Sequence, residues 1–197
     1  MTSKNISLFI LMIAFIAFVY GTSKAIQIVD KTQVGTSDGI YTSYISTSEE
    51  IKQKAFNLTK NCVDNVCKVQ TLLDFTSNIP YQTNTFQQNS PQKTIQKNYG
   101  DCDDKSNLLI SMLHAIGIKA YFVLLPKHIF VIVPLNDNRL SHIKGLWVRG
   151  TKYYILESTA KGSVIGFPLK YKLDEIDAII EPFSNKKLDI RYLKYKL

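Results

Sequence analysis

The chain has 197 residues, of which 45% are hydrophobic and 11% aromatic, and it carries a net charge of +8. This length predicts one domain with additional segments, and the hydrophobic fraction is ordinary for a globular core. The lysines near the C terminus alternate with apolar residues, as on an exposed strand face, and no nucleic-acid-binding motif accompanies them. Nucleic acid is therefore excluded as the expected partner. The charge indicates either attraction to anionic wall polymers and lipid headgroups or simply scattered surface lysines.

The N terminus contains an apolar segment that we separate from the core. The fifteen residues from Ile6 to Tyr20 have Ser7 as their only clear polar interruption. As a helix they would span about 23 Å, less than a bilayer's hydrocarbon thickness, which favours a cleaved signal peptide. Charges are absent from Asn5 to Ser23, however, so a retained membrane anchor is the alternative. We divide the chain into residues 1–25 (signal peptide or anchor), 26–47 (spacer) and 48–197 (folded domain).

Both alternatives place the folded domain outside the cytoplasm, secreted or anchored to the membrane. Removal of residues 1–25 takes away two lysines and no acids, so the remainder keeps a charge of +6. In an exported chain the closely spaced Cys62 and Cys67 are expected to form a disulfide. Their spacing does not suit zinc, and no Cys/His pair follows at a matching distance. We expect no metal and no cofactor.

The first half of the domain predicts helices. Thr47 to Glu50 have the spacing of a capping box, so the first helix should start near Ser48. A second should run from about Val66 to Ser77 and stop before Pro80. The polar stretch Gln82–Asn98 is predicted to be a long loop, either one wall of a substrate groove or a plain surface excursion. An amphipathic helix over about Asp103–Ile116 follows, with Gly117 just past its end.

The second half predicts strands. Four strands are expected, with turns at 136–138 and 150–152; they are Ile118–Pro126, Lys127–Pro134, Gly145–Gly150 and Tyr153–Thr159. Tyr171–Leu173 and Asp189–Leu193 are candidates for one or two more. Helices followed by strands predict an α+β domain with an antiparallel sheet packed against the Cys102 helix.

Cys102 is the candidate nucleophile. It follows Gly100-Asp101 at the predicted helix start, where the helix dipole and unpaired N–H groups favour a thiolate. The alternative is a buried inert cysteine, but its neighbours Asp101, Asp103, Asp104 and Lys105 are not core residues. We assign the three aspartates structural roles. The Cys102 backbone N–H is also a natural oxyanion donor.

His128 and Glu157 are the candidate base and orienting acid. His128 opens one apolar strand and Glu157 ends another, so the two side chains can meet across the sheet. Of the other histidines, His114 lies about 18 Å along the helix from Cys102, too far to act as its base. His142 lies near a predicted turn and is expected to be exposed.

The order cysteine, histidine, acid resembles the transglutaminase-like superfamily of cysteine acyl-transfer enzymes. The resemblance covers roughly Ile51 to Thr159, and the matching residues are Tyr81, Gly100-Asp101-Cys102, Asp104, Leu109, Leu113, Gly117-Ile118-Lys119-Ala120, His128 and Leu156-Glu157-Ser158-Thr159. The chain departs from the common pattern twice. Ile129-Phe130 follow the histidine where an aromatic next to it is frequent, and Glu157 stands where most members carry Asp.

This resemblance implies a papain-like α+β core with a Cys-His-Glu triad. It also implies cleavage of an amide or isopeptide bond in a peptide or protein, such as a cell-wall or surface polymer, through a thioester. Water is the commoner acyl acceptor in such enzymes and a lysine the rarer one. Tyr81 is the implied second oxyanion donor, with Tyr99 in reserve, and Gly100, Asp101 and Asp104 are structural neighbours of the site. The alternative function is a catalytically inactive surface binding or scaffold module of the same fold.

Overall fold

The computed structural model describes residues 3–36, 39–83 and 88–197. Its first element is the long helix α1 (Ser3–Thr32). The segment Ser7–Lys24 within it has a mean hydropathy of 1.7, and none of it is buried. By length and composition it can cross a membrane, although a signal sequence has the same properties. The predicted N-terminal apolar segment is therefore an exposed helix.

A two-stranded antiparallel sheet follows, made of β1 (Gln33–Thr36) and β2 (Gly39–Thr42). The helices after it agree closely with the sequence prediction. Helix α2 (Glu49–Thr59) is capped by the hydroxyl of Ser48, and α3 (Asn65–Asn78) by Asp64. Cys62 and Cys67 form the predicted disulfide in the connection between these helices.

The predicted loop over Gln82–Asn98 is wrong in its second half. Residues 91–97 form a short helix, α4 (Pro91–Lys97), which begins at a Ser90 cap. Proline suits a first helical position because the N–H it lacks would be unpaired there. The helix has too few apolar residues to show a periodic stripe in the sequence. Residues 84–87 of the predicted loop lie outside the described residues.

Helix α5 (Cys102–Ala115) is the predicted nucleophile helix, displaced by one residue. The φ of +78° at Gly117 explains the glycine just past its end. Tyr41 and Ser43, which lie in the predicted spacer, are buried. The Tyr41 hydroxyl and the Tyr44 N–H both donate to the Asn107 amide oxygen on α5, at 3.2 and 2.9 Å. The packed part of the domain therefore extends N-terminal to Ser48.

The main sheet has seven strands, all paired with antiparallel neighbours in the order β8-β7-β3-β4-β6-β5-β9. The strands are β3 (Tyr121–Leu125), β4 (His128–Val133), β5 (Gly145–Val148), β6 (Thr151–Leu156), β7 (Ala178–Glu181), β8 (Lys186–Lys187) and β9 (Lys194–Lys196). Strands β3 to β6 are the four that the sequence predicts. The mixed helical and antiparallel architecture confirms the α+β fold class.

The two extra strands expected at Tyr171–Leu173 and Asp189–Leu193 are wrong. A 3-10 turn, Leu173–Glu175, begins where the first was expected, and the second region contains no strand. The C-terminal strands are instead β7, β8 and β9. Of these three, only β7 consists largely of buried apolar residues, and it is too short to show a clear two-residue alternation in the sequence.

The two faces of β4 pack against different layers. Ile129, Val131 and Val133 belong to the core shared with α5. Phe130 and Ile132 belong to a second apolar cluster, which is covered by C-terminal residues such as Phe167. This alternation follows from the two-residue period of a strand. The end of β4 that bears His128 therefore lies between the helical layer and the C-terminal segment.

Candidate active site

Cys102 is the first residue of α5, and the turn that holds it is doubly capped. The Asp101 carboxylate accepts the Asp104 N–H at 3.1 Å, and the Asp104 carboxylate accepts the Asp101 N–H at 3.4 Å. Two N–H groups of the helix start thereby gain partners, which is the purpose of a capping box. Asp101 and Asp104 therefore stabilise the start of α5.

The Cys102 thiol is protonated in this conformation, contrary to the thiolate expected from its helix position. Burial, followed by the charges of Asp103 and Asp101, raises the pKa of the thiol to about 12. Hydrogen bonds from the N–H groups of Asp103 and Ile129 act in the opposite direction but are outweighed. A helix terminus contributes only about 0.3–1 kcal/mol, which is less than burial beside two carboxylates costs a thiolate.

The contact with the Ile129 N–H places the Cys102 sulfur at the end of β4, next to the residue that carries the candidate base. The sulfur also lies 3.7 Å from the Asp103 carboxylate as a donor. Asp103 accepts a short hydrogen bond from the Gln88 amide, and burial raises its own pKa. The thiol is therefore held between the end of a strand and the second residue of its own helix.

His128 and Glu157 form a direct pair. His128 Nε2 lies 2.9 Å from Glu157 Oε2, and both side chains are largely buried. The antiparallel pairing of β4 with β6 brings the start of β4, which bears His128, and the end of β6, which precedes Glu157, to the same end of the sheet. The other carboxylate oxygen of Glu157 accepts both the hydroxyl and the N–H of Thr159. The acid is thus fixed through both of its oxygens.

The electrostatics of Glu157 favour the ionised form. Burial alone would raise the pKa of this carboxyl, but the hydrogen bonds and charge of His128, with those of Thr159, lower it below its ordinary value. An ionised acid that accepts from one ring nitrogen fixes the imidazole orientation and its tautomer. The bond through Nε2 leaves Nδ1 as the nitrogen that can exchange a proton with substrate or thiol.

Tyr171 is a site residue that the sequence analysis missed. Its ring stacks on His128, with centroids 5.5 Å apart and an interplanar angle of 26°. Burial, followed by the charges of Glu157 and Cys102, raises the pKa of its phenol. The phenol therefore lies within electrostatic reach of both residues. Nothing in the local sequence signals this, because the contact depends on the path of the C-terminal segment.

Tyr81 lies beside the residues that precede Cys102, whereas the described contact of Tyr99 is with Lys97. Tyr81 forms an isolated bridge with Gly100, and burial and then the charge of Cys102 raise the pKa of its phenol. Tyr99 instead has the Lys97 ammonium 5.5 Å from its ring centroid. Gly100 is itself sterically required, since a Cβ there would lie 2.8 Å from the Asp104 Cβ.

Two charged residues that the sequence analysis placed outside the core are fully buried. Asp104 accepts the Asn89 N–H at 2.6 Å and the Asn89 side-chain amide at 2.9 Å. Lys105 donates to the carbonyl oxygens of Ile79 and Ser77, at 2.8 and 3.3 Å. Buried charges are tolerated where hydrogen bonds satisfy them, so residue type alone gave the wrong location here.

A cavity of about 130 Å³ adjoins the His128–Glu157 pair. Its remaining walls are largely apolar and aromatic, with Lys170 and Thr159 among the polar contributors. Such a cavity beside an imidazole can hold a substrate side chain. Over the described ranges 3–36, 39–83 and 88–197, no group of three or more His, Cys, Asp or Glu residues gathers as a metal site.

Comparison with known families agrees with this architecture. Residues 52–130 match the core model of the transglutaminase-like superfamily. The match includes Cys102 and His128 and stops before Glu157. The resemblance inferred from the sequence is thereby confirmed over these residues, and the arrangement of helices and antiparallel sheet is consistent with an α+β papain-like core.

A search of solved structures finds matches of low identity. A protein from Cytophaga hutchinsonii, described as “a Putative Cysteine Protease”, is 19% identical, with a TM-score of 0.45 over 79% of this chain. The chain spans only 52% of that protein's length. Legionella pneumophila LapG is 14% identical, with a TM-score of 0.39 over 62% of this chain and 78% of its own. A search of the curated proteins gives no match.

Proposed function

We propose that this chain is a transglutaminase-like cysteine hydrolase that acts outside the cytoplasm. Its substrate would be an amide or isopeptide bond in a peptide or protein, such as a wall or surface polymer. One observation carries the proposal: the Cys102 sulfur contacts the N–H of Ile129, directly after His128, whose Nε2 is bonded to Glu157. Nucleophile, base and orienting acid are the three parts of a triad.

The neutral thiol determines how the first step proceeds. As the sulfur attacks the substrate carbonyl carbon, His128 Nδ1 takes the thiol proton, and the imidazolium is stabilised by Glu157. The oxygen of the tetrahedral intermediate would accept hydrogen bonds from the Cys102 N–H and the Tyr81 phenol. The intermediate collapses when His128 returns the proton to the departing amine, which leaves a thioester on Cys102.

Hydrolysis of the thioester reverses these roles. His128 removes a proton from a water molecule, which attacks the thioester carbonyl. The second tetrahedral intermediate then expels the Cys102 sulfur, which recovers a proton from His128. The carboxylic acid product leaves, and the resting thiol is restored. Water as acceptor makes the protein a hydrolase, whereas a lysine acceptor would make it a cross-linking transferase.

The location outside the cytoplasm is supported by two features. Helix α1 has the composition of a signal sequence or anchor, and Cys62 and Cys67 form a disulfide, a bond that persists in oxidising compartments. If α1 is retained, the membrane itself becomes a partner of the protein. The basic surface would then face anionic lipid headgroups or wall polymers.

One observation favours the second candidate function, an inactive binding or scaffold module. The Cys102 thiol donates toward Asp103 and its pKa is raised to about 12, which is unlike an activated nucleophile. In this case the His128–Glu157 pair would serve only to hold the strand ends together. The two candidates differ in whether His128 accelerates acylation of Cys102.

An activated ester separates the two candidates without knowledge of the natural substrate. The full-length chain in detergent is mixed with p-nitrophenyl acetate, and nitrophenol release and acetylation of Cys102 by peptide mass mapping are followed. The hydrolase predicts a burst, an acetyl group on Cys102 and slow turnover, with acylation reduced about 10²-fold or more in His128→Ala. The control His142→Ala, at an exposed histidine, should keep the wild-type rate. Equal rates of Cys102 acylation in His128→Ala and His142→Ala would contradict the hydrolase and support the scaffold module.

A further inference from the structure

Lys105 is a buried cation that the proposed reaction does not use. It is three residues after Cys102 on α5, and it has no exposed surface. A lysine is almost never fully buried, because removal of an ammonium group from water costs several kcal/mol unless hydrogen bonds replace its hydration. Its partners therefore indicate what this charge does.

The two carbonyl groups that it contacts belong to the end of α3. Ser77 lies in the last turn of that helix and Ile79 is its C-cap. The last turn of α3 contains no basic residue of its own. A helix C terminus carries roughly half a negative charge on unpaired carbonyl groups. Lys105 supplies the matching cation from the neighbouring helix.

This attachment lies two residues before Tyr81. Beyond Ile79 the chain runs through Pro80, whose carbonyl accepts the Gly100 N–H at 3.2 Å. The Gln82 N–H then donates to the Gly100 carbonyl at 3.1 Å. The residues on either side of Tyr81 are thus both bonded to Gly100, which precedes the Asp101 cap of α5. Two residues before Tyr81, the carbonyl of Ile79 is held by the ammonium of Lys105, which lies in the first turn of α5.

We propose that Lys105 is a positioning residue that holds Tyr81 beside the start of α5, where Cys102 lies, by anchoring the carbonyl groups of Ser77 and Ile79. The oxyanion role of Tyr81 within this inference rests on the proposed function. The anchoring of the 79–82 segment does not, so the two parts can be tested separately.

Hydrogen exchange of the full-length chain tests the anchoring without any chemistry. In Lys105→Met, the Gln82 and Gly100 amides should exchange at least tenfold faster than in wild type, beyond any change at amides of β4. Ile110→Ala, at another buried position of α5, is the matched control and should not loosen these two amides selectively. If Lys105→Met changes all amides equally, or neither of the two, Lys105 is merely a packed side chain and the inference is wrong.

A second variant keeps the test decisive if Lys105→Met does not fold. Lys105→Gln retains a donor for the carbonyl groups but lacks the charge. We expect it to keep the Gln82 and Gly100 amides within about threefold of wild type. Rapid exchange at both amides in this variant would contradict anchoring of the carbonyl groups by hydrogen bonds.

The ester reaction tests the link to Tyr81. Lys105→Met and Tyr81→Phe should each slow acylation of Cys102, and the double variant should lose little more than the slower single variant, because both changes remove one interaction. Fully additive losses would show that Lys105 acts independently of Tyr81. If wild-type Cys102 is not acylated at all, the proposed function fails, while the exchange result still decides the anchoring.

Discussion

His128 Nε2 and Glu157 Oε2 are 2.9 Å apart, and the second oxygen of the same carboxylate is bonded to Thr159. Glu157 stands where most members of the family that this chain resembles carry aspartate. Its extra methylene changes how far the carboxylate extends from the backbone towards His128. In the structure the longer side chain reaches the imidazole and is braced from its far side. Glu157 therefore contacts His128 in spite of its different length.

The first prediction concerns this bond. Glu157→Gln removes the negative charge that stabilises the imidazolium and weakens the control of the tautomer. We expect turnover of the acetyl ester to fall by roughly 10²–10⁴-fold with little change in fold, as for acids in comparable triads. Steady-state nitrophenol release and a far-UV circular dichroism spectrum check both parts. The exposed Glu50→Gln is the control. A variant with near wild-type turnover would remove Glu157 from the mechanism.

The second prediction concerns the resting thiol. Asp103→Asn removes one of the two carboxylates that, after burial, raise the pKa of Cys102 to about 12. The pKa should fall towards the ordinary value, so a larger thiolate fraction should be present at every pH below 12. Iodoacetamide alkylation of Cys102 at pH 8 should therefore become about tenfold faster or more. The exposed Asp174→Asn should alkylate like wild type. An Asp103→Asn rate no faster than that control would show that Asp103 does not raise the pKa of the thiol.

The third prediction concerns the ring on His128. Tyr171→Phe preserves the stacked ring, whereas Tyr171→Ala removes it. Aromatic contacts contribute about 1 kcal/mol beyond buried area, so the alanine variant should lose roughly fivefold in kcat/KM for the ester. The phenylalanine variant should stay within about twofold of wild type if stacking is the main role. A loss of equal size in both would assign the effect to the phenol. The exposed Tyr192→Ala is the surface control.

The fourth prediction follows from the buried ammonium. Burial lowers the pKa of Lys105 from 10.5 to about 8. Below pH 8 the group is protonated in both the folded and the unfolded chain, so the cost of burying the charge is fully present. Between pH 8 and 10.5 the folded chain loses the proton first, and its stability should rise relative to Lys105→Met, by up to roughly 3 kcal/mol. Urea unfolding of both proteins at pH 7, 9 and 10.5 measures this difference. A difference that does not depend on pH would contradict the assigned direction.

Much of the fold was predictable because local signals agree with the final packing. The apolar stripe of α5 and the glycine past its end fix that helix within one residue. The apolar runs of β3 to β6 are long enough to be recognised without their partners. By contrast, α4 is short and polar, and β8 and β9 consist largely of exposed lysines. Such elements form because neighbouring strands or caps complete their hydrogen bonds, and this information is not local.

The candidate site was predictable to a similar extent. Cys102, His128 and Glu157 are each at the end of an element, where the sequence shows the change of period. The protonation state of the thiol was not predictable, since the helix terminus was visible in sequence but its burial beside Asp103 was not. The burial of Lys105 and the stacking of Tyr171 on His128 were missed for the same reason. Both depend on segments that meet only in the folded chain.

Gly100 has a consequence for how this chain can vary. Any side chain at this position would collide with the Asp104 Cβ and displace the cap of α5, whether or not Cys102 reacts. A descendant that lost its nucleophile but kept its fold would therefore still need glycine there. In the Gly100-Asp101-Cys102 motif, the first two residues are needed for the structure of the helix start. Only the third, taken with His128 and Glu157, bears on the proposed reaction.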